Sequence, residues 1–146
     1  MTGDFQALAG RCMCGEVRFS VDAPPLGALY CHCQRCQRRS GTSHSITALC
    51  APGSFSVTAG EEQLRTWDPG DGWVKSFCSI CGSHTHTTNP DDANLVGVRL
   101  GCVEGDPGVR PSAHQFTTYA IPWEPIPDDG LPRFPERPGE GEPEAG

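Results

Sequence analysis

At 146 residues with 36% apolar residues, 18 Gly and 14 Pro, the chain has material for one domain with a modest core of strands and turns. A formal net charge of −7 argues against nucleic acid or another polyanion as partner, and no apolar run is long enough to span a membrane. The opening Met1-Thr2-Gly3-Asp4-Phe5-Gln6 has neither the basic start nor the apolar stretch of a signal peptide, so a reducing, cytoplasmic setting is expected.

Strand signals dominate. Glu16–Asp22 alternates strictly, with Val17, Phe19 and Val21 apolar and Glu16, Arg18, Ser20 and Asp22 polar, as a half-buried strand does. Pro24-Pro25 ends it. Ala28-Leu29-Tyr30 leads into a cysteine cluster, and the residues after it, Gln34 to Ser40, form the one plausible helical turn. Ser45–Leu49, Ser54–Val57 and Gln63–Trp67 are short strands separated by Pro52-Gly53 and Ala59-Gly60. Asp68-Pro69-Gly70-Asp71-Gly72 is a turn into a strand at Trp73–Phe77. Val96, Val98 and Leu100 alternate on a further strand, and Phe116–Ala120 reads as the last. From Pro132 to Gly146 there are four Pro, four Glu and three Gly, so the end of the chain is expected to be disordered. The fold class is mainly β, with small antiparallel sheets in a single domain.

Seven of the nine cysteines fall into three tight clusters. The odd total fits poorly with a complete disulfide framework, and clustered thiols in a reducing compartment bind metal. Cys78-Ser79-Ile80-Cys81 is a metal knuckle, and Gly82 behind it permits the positive φ such a turn needs. Cys12 and Cys14, followed by Gly15, form a second chelating pair, and the two pairs together make a closed four-thiolate site. Four unrelated buried thiols are the ordinary alternative, but such thiols rarely come as two pairs at chelate spacing. Cys31, Cys33 and Cys36 supply three thiolates from one segment, leaving a fourth position open to water or a substrate thiolate. Soft ligands favour zinc over magnesium or calcium, and a cubane iron–sulfur cluster normally needs four cysteines. A remote group (Cys50, Cys102, His44 or His114) would make this second site structural instead.

His32 lies between two of these ligands and, by alternation, points away from the metal to hydrogen-bond outward or line the pocket. His84 and His86 follow the knuckle at period-2 spacing and read as partly exposed strand residues. Cys50 and Cys102 read as small buried hydrophobes. Arg35, Arg38 and Arg39 form a basic patch beside the open site, suited to a carboxylate-bearing ligand or to pairing with surface acids.

Several segments together resemble a known family. These are Gly10-Arg11-Cys12-Met13-Cys14-Gly15, Cys31 through Gly41, Phe77-Cys78-Ser79-Ile80-Cys81-Gly82-Ser83, Pro111-Ser112-Ala113-His114-Gln115-Phe116, Pro122-Trp123, and Asp129-Gly130-Leu131-Pro132-Arg133-Phe134. In that order they are similar to the glutathione-dependent formaldehyde-activating enzyme (GFA) family, which includes centromere protein V. The resemblance covers residues 8–136 and leaves a flexible N-terminus at 1–7 and a disordered tail at 137–146. It implies a β-tent fold of small antiparallel sheets organised around two zinc ions per chain. Cys12, Cys14, Cys78 and Cys81 would hold a structural zinc, and Cys31, Cys33 and Cys36 a catalytic one. It further implies carbon–sulfur lyase chemistry linking glutathione and formaldehyde with S-hydroxymethylglutathione. The expected partner is a small-molecule thiol such as glutathione, with no nucleic acid, no membrane and the homo-oligomeric state open. Gly101-Cys102-Val103-Glu104 departs from a common Gly-Thr/Ser-Leu-Asp pattern of relatives, and His44 stands where an aromatic or apolar residue is usual. A non-catalytic zinc-binding interaction module of the same fold is the alternative, and a thiol redox protein working through Cys31, Cys33 and Cys36 a third.

Overall fold

The computed structural model describes residues 5–138, which are mainly β with one α-helix. Of the N-terminal segment only residues 5–7 are described, and the Pro/Glu/Gly tail from 139 onward lies outside the described residues. The chain forms two compact units interleaved in sequence. The first takes in the chain up to Leu26 together with Ala48–Val109, and the second takes in Gly27–Thr47 together with the chain from Arg110. No described helix is long and apolar enough to cross a membrane.

In the first unit, β1 (Leu8–Arg11), β2 (Arg18–Val21) and β5 (Phe55–Ala59) make a three-stranded antiparallel sheet with β2 in the middle. The alternation in β2 is realised: Val17, Phe19 and Val21 are buried while Arg18 is exposed. Gly10 pairs with Phe19 across β1–β2, and the Phe19 ring occupies the space where a Gly10 Cβ would stand. That glycine lets the ring lie flat over the neighbouring strand and reach Phe55, with ring centroids 5.4 Å apart.

The rest of this unit is an antiparallel meander of β6 (Leu64–Trp67), β7 (Val74–Cys78), β8 (His84–Asn89) and β9 (Asp92–Arg99). Side-chain caps close its turns. Asp68 accepts from the Gly70 N–H at 2.8 Å, Asp71 from the Trp73 N–H at 3.0 Å, and Asn89 from the Asp91 N–H at 2.8 Å. β7 and β8 slip register between Ser76 and Phe77, so Thr85 is skipped and Thr85, His86 and Thr87 are all buried. His84 is therefore half-buried and His86 buried, rather than both partly exposed. The His86 ring lies 4.6 Å from that of Phe55, and its burial pushes its pKa down to about 4.

In the second unit, β3 (Gly27–Cys31), β4 (Ser45–Leu49, which starts here), β10 (Pro111–Gln115) and β11 (Arg133–Phe134) lie in the order β4–β3–β10–β11. The pairings of β10 with β3 and with β11 are parallel, so the antiparallel expectation does not hold at this edge. The strand expected at Phe116–Ala120 is displaced to Pro111–Gln115, and Thr117–Tyr119 is a 3₁₀ turn. The cause is Phe116, which sits at φ 58 in the left-handed region and breaks the extended run. The helix α1 spans Gln34–Ser40, as expected, and ends at Gly41 with φ 70.

Gly60 ends β5 at φ 75, and a Cβ there would collide with the backbone of Glu16 and Val17. Gly53, at φ 77, has open space around it. Gly53→Ala should cost only the left-handed strain, about 1 kcal/mol, whereas Gly60→Ala adds a backbone displacement and should cost roughly 3 kcal/mol. Denaturant unfolding of the two variants checks this; equal losses would contradict the collision.

Candidate metal centres

Each unit carries one cysteine cluster. In the first, Cys12, Cys14, Cys78 and Cys81 bring their sulfurs within 4.8 Å of one another. Two similar turns do this. Gly15 at φ 82 donates its N–H to the Cys12 carbonyl at 3.1 Å, and Gly82 at φ 78 donates to the Cys78 carbonyl at 2.8 Å. The Val17 N–H points at Cys12 Sγ (3.3 Å) and the Ile80 N–H at Cys78 Sγ (3.4 Å), an arrangement that favours thiolates.

The Cys12–Cys14 and Cys14–Cys78 sulfur separations are 3.5 and 3.8 Å. A tetrahedral ion with metal–sulfur bonds of about 2.3 Å has edges of about 3.8 Å, so the four sulfurs fit a zinc-like ion and are too far apart for disulfides. Ser83 ties the two turns together. Its Oγ accepts from the Met13 N–H at 2.9 Å and lies 3.2 Å from Cys81 Sγ. The Ser83 hydroxyl is the main reason the Cys81 thiol is pulled down to about 5. Cys14 goes the other way, to about 12: a backbone hydrogen bond at Glu16 lowers it, but desolvation and the sulfurs of Cys12, Cys81 and Cys78 outweigh that. Four thiols this close share ionisation unevenly until a cation balances them.

The trio Cys31, Cys33 and Cys36 in the second unit also lies within 4.8 Å, and among the described residues no fourth Cys, His, Asp or Glu joins it. Its compactness is local. Cys31 is the last residue of β3, Cys33 is the N-cap of α1, and Cys36 lies in the first turn and donates its N–H to Cys33 Sγ at 3.3 Å. Hydrogen bonding to Cys33 and Cys36, together with burial, holds the Cys31 thiol far above its ordinary value, as expected for thiols that cannot all ionise without a bound cation. Of the remote groups considered for a fourth ligand, Cys50 and Cys102 belong to the first unit, where Cys102 Sγ meets the His84 carbonyl at 3.2 Å. His44 and His114 gather instead around His32.

His32 is buried. Its Nε2 lies 2.9 Å from His114 Nδ1, and His114 Nε2 lies 2.8 Å from Asp129 Oδ2. Tyr30 stacks on His114 at 4.6 Å, and His44 lies 5.3 Å from both Tyr30 and His32. Burial, then the neighbouring imidazoles of His114 and His44, push His32 down to about 4, and burial lowers His44 as well. The imidazole of His44 thus fills a place in a ring cluster. The hydrogen bond from His114 lowers the Asp129 carboxyl. Gln37 braces the segment by donating to the His32 and Tyr119 carbonyls at 2.7 and 2.8 Å.

Sequence reasoning brought the seven cysteines together in these two groups but assigned no role to Ser83, Tyr30, Asp129 or Gln37. Their positions follow from strand register and turn closure. The signal available was that Gln37, Ser83 and Asp129 lie inside the motifs that carry the resemblance.

A family model described as glutathione-dependent formaldehyde-activating enzyme matches residues 7–119. The chain belongs to the GFA family. A crystal structure of a Rhodobacter sphaeroides protein is similar to this GFA chain, with a TM-score of 0.56 and 29% sequence identity over 67% of this chain and 89% of that one.

Ser83→Ala removes the hydroxyl that favours the Cys81 thiolate. It should weaken metal retention at the four-cysteine group about 10- to 100-fold, read by competition with a chelator, with the trio's retention unchanged. Identical retention in wild type and variant would remove Ser83 from the site.

Proposed function

We propose that this GFA-family chain is a zinc-dependent carbon–sulfur lyase that interconverts glutathione plus formaldehyde with S-hydroxymethylglutathione, holding one structural and one catalytic ion. The observation that carries this reading is the contrast between a complete four-sulfur group and a three-sulfur group with no fourth ligand among the described residues. Zinc at the trio would supply a Lewis acid able to hold a substrate sulfur as thiolate. Cys31, Cys33 and Cys36 would be its ligands. Their combined charge suits exchange of a soft sulfur ligand better than production of a strong hydroxide nucleophile. Arg35 and Arg38, exposed on α1, offer cations for the carboxylates of a thiol such as glutathione. A reducing cytoplasm keeps both the ligand thiols and the substrate thiol free.

Cys12, Cys14, Cys78 and Cys81 would carry the structural ion, whose binding is part of the folding free energy. Cys78→Ser should then unfold the protein or abolish its expression, while Cys33→Ser should leave a folded, inactive chain. Thermal unfolding of the two variants, with activity on glutathione and formaldehyde, separates them; equal destabilisation would contradict the division of roles.

The reading as a whole is tested in cobalt-substituted protein. Glutathione should change the metal–thiolate absorption, and formaldehyde with glutathione should turn over. A single tightly held ion, an unchanged spectrum and no turnover would favour a non-catalytic zinc module.

A further inference from the structure

His86 takes no part in either cysteine group, yet it is buried in the first unit. Its ring lies against that of Phe55, with centroids 4.6 Å apart, and Phe55 in turn packs on Phe19 at 5.4 Å. The three rings form a column that crosses from the meander to the three-stranded sheet, with His86 on β8, Phe55 on β5 and Phe19 on β2. Each side of this crossing carries one half of the four-sulfur group. The segment with Cys12 and Cys14 joins β1 to β2, and the turn with Cys78 and Cys81 joins β7 to β8. The column therefore ties together the two frameworks whose alignment brings the four sulfurs within 4.8 Å of one another.

The surroundings of the His86 ring suit a neutral imidazole. Nδ1 lies 2.8 Å from Oγ1 of the buried Thr85, and Nε2 makes no hydrogen bond among the described residues. The positions paired with His86 are Ser76 on β7 and Val98 on β9, and β5 carries no ionisable residue. Of the titratable groups on the surrounding strands, Lys75 on β7 is bonded to Asp71 at 2.9 Å and Cys78 ends β7 in the four-sulfur group. On β8 itself, His84 pairs with Phe77. On β9, Asp92 pairs with Asn89 and Arg99 is the last residue, while Arg18 on β2 is exposed. Burial is the one cause of the low pKa of His86, so none of these charges offsets the desolvation of an imidazolium.

We propose that the His86–Phe55 contact is an acid-sensitive latch within the first unit: a proton on His86 loosens the ring column and with it the alignment of the two cysteine pairs. The second half rests on the reading above that Cys12, Cys14, Cys78 and Cys81 hold a structural ion. The direction follows from linkage. The folded chain keeps His86 neutral down to about pH 4, whereas an unfolded chain protonates it near 6.5, so unfolding takes up a proton at mildly acid pH. The stability conferred by neutral His86 is complete above about pH 6.5 and is lost as pH falls toward 4.

Urea unfolding of zinc-loaded wild type and His86→Phe at pH 7 and pH 5 tests the latch. The variant keeps a ring on Phe55 and cannot take a charge. Protonation of the cysteines and of the other histidines acts on both chains alike, so the comparison isolates His86. From pH 7 to pH 5 the unfolding constant of the wild type should rise about 20-fold more than that of H86F. Equal rises would overturn the latch. The link to the cysteine pairs is read by chelator competition in a Cys33→Ser background, where the trio lacks one of its sulfurs. With His86 present, release of the ion should accelerate more between pH 7 and pH 5 than with H86F; identical acceleration would overturn that link. A Cys33→Ser chain that binds no ion would sink the structural-ion reading, while the urea comparison would still decide the latch. If H86F does not fold, ¹H–¹⁵N spectra of labelled imidazoles in the wild type decide: His86 should stay neutral at pH 5, and a ring that charges near pH 6.5 in the folded protein overturns the proposal.

Discussion

The structure depends on the mutual repulsion of crowded thiolates. Sulfurs held within 4.8 Å of one another cannot all ionise in protein alone, and the sulfurs of Cys12, Cys81 and Cys78 accordingly push the Cys14 thiol up. A divalent cation inverts the balance, because each thiolate then gains more from the ion than it loses to its neighbours. Geometry that is costly without metal becomes favourable with it. In the first unit this geometry coincides with the core: Cys12, Val17 and Cys78 are buried together, with Leu64 packed against them. Apolar packing and a bound ion would therefore stabilise the same few residues, as suits a chain with a small core.

The two cysteine groups are assembled by different means, and this bears on what each can do. The four-sulfur group joins turns 64 positions apart, held by Ser83 Oγ on the Met13 N–H. Loss of the ion there releases a long-range connection. The trio spans six residues from the end of β3 into the first turn of α1, with its own N-cap hydrogen bond. Strand end, cap and first turn are set by contacts within six residues, so the framework of the trio is local where that of the four-sulfur group is not.

Local features were legible in the sequence because local physics makes them. The alternation of Val17, Phe19 and Val21, the strand Ser45–Leu49, the helix Gln34–Ser40 and the two glycine-backed turns all depend on neighbours within a few positions. The expectation failed at Phe116–Ala120, where apolar and β-branched residues suggest a strand but Phe116 turns left-handed. The histidine chain was illegible for a related reason. His114 meets Tyr30 and His32 through the parallel pairing of β3 with β10, and nothing in the spacing of residues 82 positions apart announces that register. Parallel pairing leaves no hairpin signature, and the register slips once more between Pro111 and His114.

The same register explains the electrostatic character of the second unit. Pairing His114 opposite Tyr30 stacks the two rings and packs them with His32 and His44, and burial disfavours the charged imidazolium. A cationic imidazole beside three thiolates would compete with a metal ion for them. A neutral one leaves the thiolates to the ion. Asp129 lies at the outer end of the chain, 2.8 Å from His114 Nε2, where solvent limits the cost of its charge. An exposed carboxylate thus ends a chain of buried rings without bringing its charge in among them.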